Sequence, residues 1–279
     1  EQDEEGVWHH LSMYPAKNIW MGYDYVPSIA EFSFGEVLGD NMVVLSARGQ
    51  TPPYTYIGSA SKETHGLYFI DTTNPAEPTL VADFDLYDLS GVVRQGDLLY
   101  ALSYAGNLHV LDVTDVRKPK YLGFTALFYN SWRMIVVGDY GYVADNLKGL
   151  TVVDLSDPIE PVLVKTVKGQ GGVQDIWHAN GYIYAAVGSP GVEVFDLSDP
   201  TLPVSVGTTD IGPSVVGVSV SNDLLWATNN EAAAVFSLKD PAKPELIGYE
   251  ETSDWALNAF ADGDIAYISD WDWVHVMKV

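Results

Sequence analysis

The chain has 279 residues, of which 47% are hydrophobic, and 38 acidic against 14 basic residues give a formal net charge of −24. A surface this acidic repels phosphate groups, so neither nucleic acid nor an anionic membrane surface is an expected partner. The sequence contains no cysteine and no apolar run of about 18 residues, which excludes thiol chemistry, disulfides, cysteine-ligated metals and membrane insertion by a helix.

A strand-and-turn phrase recurs along the chain every 41 to 42 residues. The first copy reads Gly66-Leu-Tyr-Phe-Ile-Asp71, and later copies end at Asp112, Asp154, Asp196, Ser237 and Lys278. Four copies precede a turn of the type Asp199-Pro-x-x-Pro203. Because proline cannot donate a hydrogen bond to a sheet, this turn separates two strands.

Each copy can be divided into four strands, and the fourth copy is the clearest example. Residues 174–179 and 182–187 form two strands around the turn Asn180-Gly181, and residues 191–196 and 204–208 form the next two. Comparable turns occur in all six copies. The sequence therefore predicts an all-β fold, a six-bladed β-propeller of four-stranded antiparallel blades in a single domain, 1–279. The blades are expected to begin near residues 28, 86, 128, 170, 211 and 252.

The ends of the chain predict how the ring closes. The last copy ends with its third strand, whereas residues 15–23 align without gaps on 241–249, the turn and fourth strand of the fifth copy. We therefore expect residues 19–25, within an N-terminal closure segment of about 1–27, to pair with the last strand and remove a free edge. Residues 7–11 resemble the end of a third strand and compete with residues 273–279 for that one place.

Two phrases carry a family resemblance. Leu150-Thr-Val-Val-Asp154 and Val192-Glu-Val-Phe-Asp196, each followed by Leu-Ser-Asp-Pro, resemble the LVIVD repeat. The resemblance extends from about residue 30 to 279, and the last copy departs from it by lacking the aspartate. It implies a bacterial or archaeal β-propeller that is exported or held on the cell surface, so we expect an extracellular, cell-surface or periplasmic location. It implies no catalytic motif.

The repeated aspartates Asp71, Asp112, Asp154 and Asp196 are expected to be structural. A position that recurs in every blade normally serves the fold, and an aspartate before a turn accepts hydrogen bonds from that turn.

Aromatic residues concentrate in the connections that lead into each blade and in those between its second and third strands. Trp and Tyr are favoured at interfaces, and also between packed blades. The insertion at 48–65 adds further rings. The expected binding residues are Tyr23, Tyr25, Tyr54, Tyr56, Tyr129, Trp132, Trp255, Trp271 and Trp273.

Three carboxylates near the predicted channel mouth are candidates for a metal site. Asp88, Asp175 and Asp254 are hard oxygen ligands of the kind calcium prefers. They leave open a calcium-dependent hydrolase or lactonase acting at the central channel.

The favoured interpretation is a non-catalytic binding module that recognises a protein or a surface polysaccharide through its loops. No cofactor is expected apart from calcium in the hydrolase alternative. A third alternative is a structural subunit of a larger extracellular assembly. The fold does not decide among these functions.

Overall fold

The structure is a computed structural model that describes residues 12–15, 31–48, 66–74, 76–87, 89–126, 131–212, 214–252, 255–270 and 273–279. The regular elements of these residues are β-strands, and the described part of the chain has no helix able to cross a membrane. Numbered in chain order, the strands are β1 (Ser12–Pro15), β2 (Glu31–Gly39), β3 (Met42–Arg48), β4 (Gly66–Asp71), β5 (Thr79–Phe84), β6 (Leu89–Gln95), β7 (Leu98–Ser103), β8 (Asn107–Asp112), β9 (Lys120–Ala126), β10 (Ser131–Val137), β11 (Tyr140–Asp145), β12 (Gly149–Asp154), β13 (Val162–Val167), β14 (Asp175–Ala179), β15 (Tyr182–Ala186), β16 (Val192–Asp196), β17 (Val204–Thr209), β18 (Gly217–Ser221), β19 (Leu224–Thr228), β20 (Ala232–Ser237), β21 (Glu245–Glu251), β22 (Asn258–Asp262), β23 (Ile265–Ser269) and β24 (Trp273–Lys278).

The described strands form six four-stranded sheets. Blades one to five are the sheets β2–β5, β6–β9, β10–β13, β14–β17 and β18–β21, each with its strands in chain order. Blade six has the order β22-β23-β24-β1, so a strand from the N-terminal region lies beside the last strand. Six such antiparallel sheets are the blades of a β-propeller, and the predicted fold class is confirmed.

Blade four follows the predicted division closely. Each of its four strands begins and ends within one residue of the predicted position. The turn between β14 and β15 has positive φ at Asn180 (54°) and at Gly181 (79°), the backbone that a two-residue hairpin requires.

The closing strand differs from the predicted one. β1 pairs antiparallel with β24, with Ser12 opposite Val276 and Pro15 opposite Trp273. The segment expected in this place, residues 19–25, lies outside the described residues, as do residues 49–65 of the insertion. Pro15 stands at the last position of β1, which is compatible with its missing N–H. The sequence alignment had instead placed this proline in a turn.

The chain divides into two compact units. The first contains Glu1–Ile19, Val143–Val152 and Val164–Val279, and the second contains Trp20–Tyr142 and Val153–Leu163.

The core of the first unit lies between successive sheets. Tyr184 and Val194 of blade four pack against Val218, Leu225 and Phe236 of blade five in one buried cluster. A second cluster joins Trp226 and Val235 of blade five to a layer of smaller side chains in blade six, Ala259, Ala261, Ala266 and Ile268. Each large buried side chain contributes about 1.5–3 kcal/mol relative to exposure, so these layers hold neighbouring blades together.

The second unit repeats this arrangement. Met42, Val44 and Phe69 of blade one pack with Leu89 and Leu99 of blade two, and all five side chains are buried.

The repeated aspartates belong to turns, as predicted. Asp154 Oδ1 accepts the N–H of Ser156 at 2.8 Å, and Asp112 Oδ1 accepts that of Thr114 at 2.9 Å. The Ser156 hydroxyl donates to the same Asp154 oxygen. Hydrogen bonds from the turn lower the pKa of Asp112, Asp154 and Asp196, and in each case the bond from a side-chain hydroxyl has the largest effect. Hydrogen bonds from Arg117 and Thr73 lower the pKa of Asp71.

Acid is therefore expected to destabilise the protein. A carboxyl whose pKa is lowered in the folded state stabilises it fully above the unfolded value, near pH 4, and loses this contribution as pH falls through the folded value. We expect the melting temperature, measured by circular dichroism, to be steady from about pH 7 to 5 and to fall below about pH 4. Asp196→Asn should reduce the acid-dependent part of the loss. A melting temperature that stays constant down to about pH 3 would contradict this account.

Candidate functional site

The connections expected to bind lie at one end of every sheet. In a four-stranded antiparallel sheet, the connection entering the first strand and the connection between the second and third strands share an end. We call this end of the blades the loop face. The loop faces of the blades in the two units are described separately.

Of the two described binding candidates in the first unit, Trp255 is the more exposed, with 53% of its surface accessible. Its backbone is nevertheless fixed. The next residue, Ala256, is buried against Trp226 and Ile268, and the N–H of Leu257 donates to Ser269 O at 2.7 Å. A large ring is thus presented to solvent from a rigid base.

Trp273 is half-buried and begins β24. Asp270 holds the turn before it, because its Oδ1 accepts the Trp273 N–H and its own N–H donates to Trp273 O at 3.0 Å. The other oxygen, Oδ2, lies 2.7 Å from Nε2 of the buried His275. The sequence analysis did not predict this pair. Asp270 lies in the turn before β24 and His275 lies within the strand, and only the fold brings the two side chains together.

In the second unit, Trp132 is half-buried and packs edge-on against Tyr104, with ring centroids 5.9 Å apart at 83°. Tyr104 follows β7 and Trp132 lies in β10, so the ring pair joins the loop faces of blades two and three.

Tyr87, in the connection that enters blade two, is 60% exposed and was not among the predicted residues. The other predicted rings, Tyr23, Tyr25, Tyr54, Tyr56, Tyr129 and Trp271, lie outside the described residues.

Asp175 is the one candidate metal ligand within the described residues, since Asp88 and Asp254 lie outside them. It is buried at the start of β14. Oδ1 accepts the Ile176 N–H and Oδ2 accepts the Val218 N–H, both at 2.9 Å. Asp175 therefore links the first strands of blades four and five.

Side chains of the next blade make equivalent links. Ser219 Oγ accepts the Ala261 N–H at 3.0 Å, and Ser221 Oγ accepts the Gly263 N–H at 2.8 Å. The Asp175 bonds thus belong to a repeated seam between first strands. Among the described residues no group of three or more His, Cys, Asp or Glu side chains is placed to hold a metal ion.

Two further carboxylates differ in their surroundings. Glu193, fully buried in β16, accepts the Gln170 N–H at 2.8 Å and the Ser205 hydroxyl at 2.6 Å. It thereby anchors the connection that enters blade four. In the second unit, burial raises the pKa of Glu36 despite the opposing charges of Arg133 and Arg94.

The sequence and structure comparisons agree on the class of protein. The six sheets define a β-propeller with rings displayed on its loop face. The model of the LVIVD repeat matches residues 130–168 and 170–210, so the chain is a six-bladed β-propeller that carries LVIVD repeats, and the predicted resemblance is confirmed. No curated protein matches the chain.

Two solved structures share the fold. A functionally unknown protein from Desulfotomaculum acetoxidans DSM 771 has a TM-score of 0.64 at 14% identity, over 76% of this chain and 72% of its own. The computationally designed Ika8 protein has a TM-score of 0.58 at 8% identity, over 89% of this chain and 84% of its own. At these identities the likeness concerns the fold alone.

Proposed function

We propose that the chain is a non-catalytic binding module, secreted or held at the cell surface, that recognises a protein or a surface polysaccharide through its loop face. The observation that carries the proposal is the exposed Trp255 ring on its fixed backbone. An exposed tryptophan on a fixed backbone loses little conformational entropy when a partner covers it, and it offers a large apolar area.

The net charge of the chain limits the kinds of partner that the loop face can attract. At a net charge of −24, long-range repulsion slows the approach of another acidic surface and favours a basic or uncharged one. This supports a neutral polysaccharide or a protein with a basic face. The resemblance to exported LVIVD-repeat proteins supports a location outside the cytoplasm.

The hydrolase alternative has less support from the described carboxylates. Both carboxylate oxygens of Asp175 already accept hydrogen bonds from backbone N–H groups. Elemental analysis of the purified protein tests the alternative directly, since a stoichiometric calcium ion would favour it. A structural subunit is distinguished by stable co-purification in a complex of fixed composition.

Trp255→Ala is expected to weaken partner retention by about tenfold or more, because the loss of a central ring commonly has that effect. The intact protein is immobilised and exposed to an envelope extract of its source organism. Protease treatment of a second portion separates polysaccharide from protein partners. Tyr87→Ala tests the part of the loop face in the second unit.

The matched control is Ile159→Ala, because Ile159 is 58% exposed but lies in the turn between β12 and β13, at the opposite end of its blade. This variant should retain partners as well as the wild type does. Melting curves of all three variants separate a loss of partner retention from a loss of stability. Equal retention by wild type and Trp255→Ala would contradict the proposal.

A further inference from the structure

Three rings on blade two form an open aromatic cup, the His109 cup, made of His109, Tyr121 and Phe124. The imidazole of His109 is buried at 8% exposure, while Tyr121 and Phe124 are 40% and 60% exposed. The His109 centroid lies 5.5 Å from that of Phe124 and 6.0 Å from that of Tyr121, with the planes tilted by 38° and 44°. The two outer rings thus lie beside the imidazole at different tilts, and both are partly open to solvent.

A β-bulge brings the two exposed rings to one face. In a regular strand residues 121 and 124 would point to opposite faces. In β9 the register changes between the pairs Leu111–Tyr121 and Val110–Gly123, which adds one residue to this strand. Gly123 has φ of 148°, a conformation that favours glycine. Tyr121 and Phe124 therefore both face His109.

The fold does not require rings at these positions. The same three positions in the registers of blades four and five have the same backbone pairing but different chemistry. They hold Glu193, Ser205 and Thr208 in blade four, and Ala234, Leu246 and Tyr249 in blade five. The aromatic cup is thus a feature of blade two and not of the repeat.

The cup is held in place before any ligand arrives. His109 Nδ1 lies 2.9 Å from Tyr121 Oη, and this hydrogen bond fixes the tyrosine ring against the imidazole. Burial lowers the pKa of His109, so the imidazole is neutral near pH 7 and does not repel a cation.

We propose that the His109 cup binds an alkylammonium group, most favourably a quaternary or methylated one. Aromatic faces attract such cations, and a ring of two or three of them is a recurrent form of their binding site. The net charge of −24 raises the local concentration of any cation. The ligand is either a small free molecule or the ammonium group of a lysine side chain on a partner. This proposal is independent of the loop-face function.

Choline is the probe for the free ligand, and its neutral carbon isostere, dimethylbutanol, is the control ligand. Both are titrated into the intact protein by calorimetry at low ionic strength. We expect choline to bind about tenfold more tightly than the isostere, because only the cation interacts with the ring quadrupoles. A trimethyl-lysine peptide, compared with the same peptide carrying glutamine, tests the side-chain source. Equal binding of choline and the isostere, or no binding of any cation, would overturn the proposal.

Phe124→Leu should weaken choline binding about 3- to 30-fold, because it keeps an apolar side chain but removes one aromatic face. Tyr249→Leu is the matched control, since Tyr249 occupies the Phe124 position in blade five opposite Ala234, and it should bind choline like the wild type. Both side chains are exposed, so both variants should melt like the wild type. Equal loss in the two variants would show that the effect is not specific to the cup.

Discussion

Gly172→Ala is expected to destabilise the protein by at least about 3 kcal/mol, and to lower its melting temperature by about 6–12 °C. A Cβ at this position would lie 1.8 Å from the backbone oxygen of Asn146 and 2.7 Å from its carbonyl carbon. Both atoms belong to main chain, so no side-chain rotation can relieve the overlap. The connection entering blade four would have to move away from the turn that follows β11.

That movement would also strain other contacts of the connection. Gly169 lies against the Glu193 carboxylate, which accepts the Gln170 N–H, and the Val173 N–H donates to Asp145 O at 3.1 Å. Displacement of Gly172 would pull on both bonds, and Glu193 would remain buried with one partner fewer.

Gly207→Ala is the matched control for this prediction. Gly207 lies in β17 of the same blade, and a Cβ there would have no atom within 4 Å. Its stability should be close to that of the wild type. Thermal and urea unfolding followed by circular dichroism compare the two variants. Similar stabilities for Gly172→Ala and Gly207→Ala would show that the close approach to Asn146 is not rigid.

The fold could be predicted from the sequence because its determinants are local and repeated. The turn at Asn180 and Gly181, the phrase ending at Asp196 and the proline turn at Asp199 each specify a boundary within one blade. Repetition then indicates how many such units the chain contains. Closure depends instead on one pairing between distant residues, and here β1 replaces the expected segment beside β24.

The site was predicted less well, because its residues become neighbours only through register and burial. From the sequence, Asp175 is predicted to be a carboxylate near the channel. In the structure its oxygens accept hydrogen bonds from the backbone N–H groups of Ile176 and Val218, and such backbone contacts cannot be recognised from residue types. The His109 cup depends on a bulge. The glycine that recurs in the fourth strands, at positions 123, 207 and 248, was the available signal for it.

His275→Leu is expected to cost about 3 kcal/mol, because the buried Asp270 carboxylate would lose a hydrogen-bond partner. His275 Nε2 and Asp270 Oδ2 are 2.7 Å apart, and both side chains are almost fully buried. Without the imidazole, the Asp270 carboxylate would stay in the interior, where Oδ1 still accepts the Trp273 N–H. The Asp270 carboxylate could reach solvent only if its hydrogen bond to the Trp273 N–H broke. The turn before β24 would then open, and blade six would lose the register of that strand.

Asp270→Asn removes the negative charge at this position but keeps the shape of the side chain. Asn229 occupies the same place in blade five, where Oδ1 accepts the Glu231 and Ala232 N–H groups and Nδ2 donates to Ile211 O at 2.8 Å. An amide therefore fits this turn, and Asp270→Asn alone should cost less than His275→Leu. The double variant, Asp270→Asn with His275→Leu, should recover part of the lost stability in urea unfolding. If the double variant is no more stable than His275→Leu, the loss comes from packing of the imidazole and not from an uncompensated carboxylate.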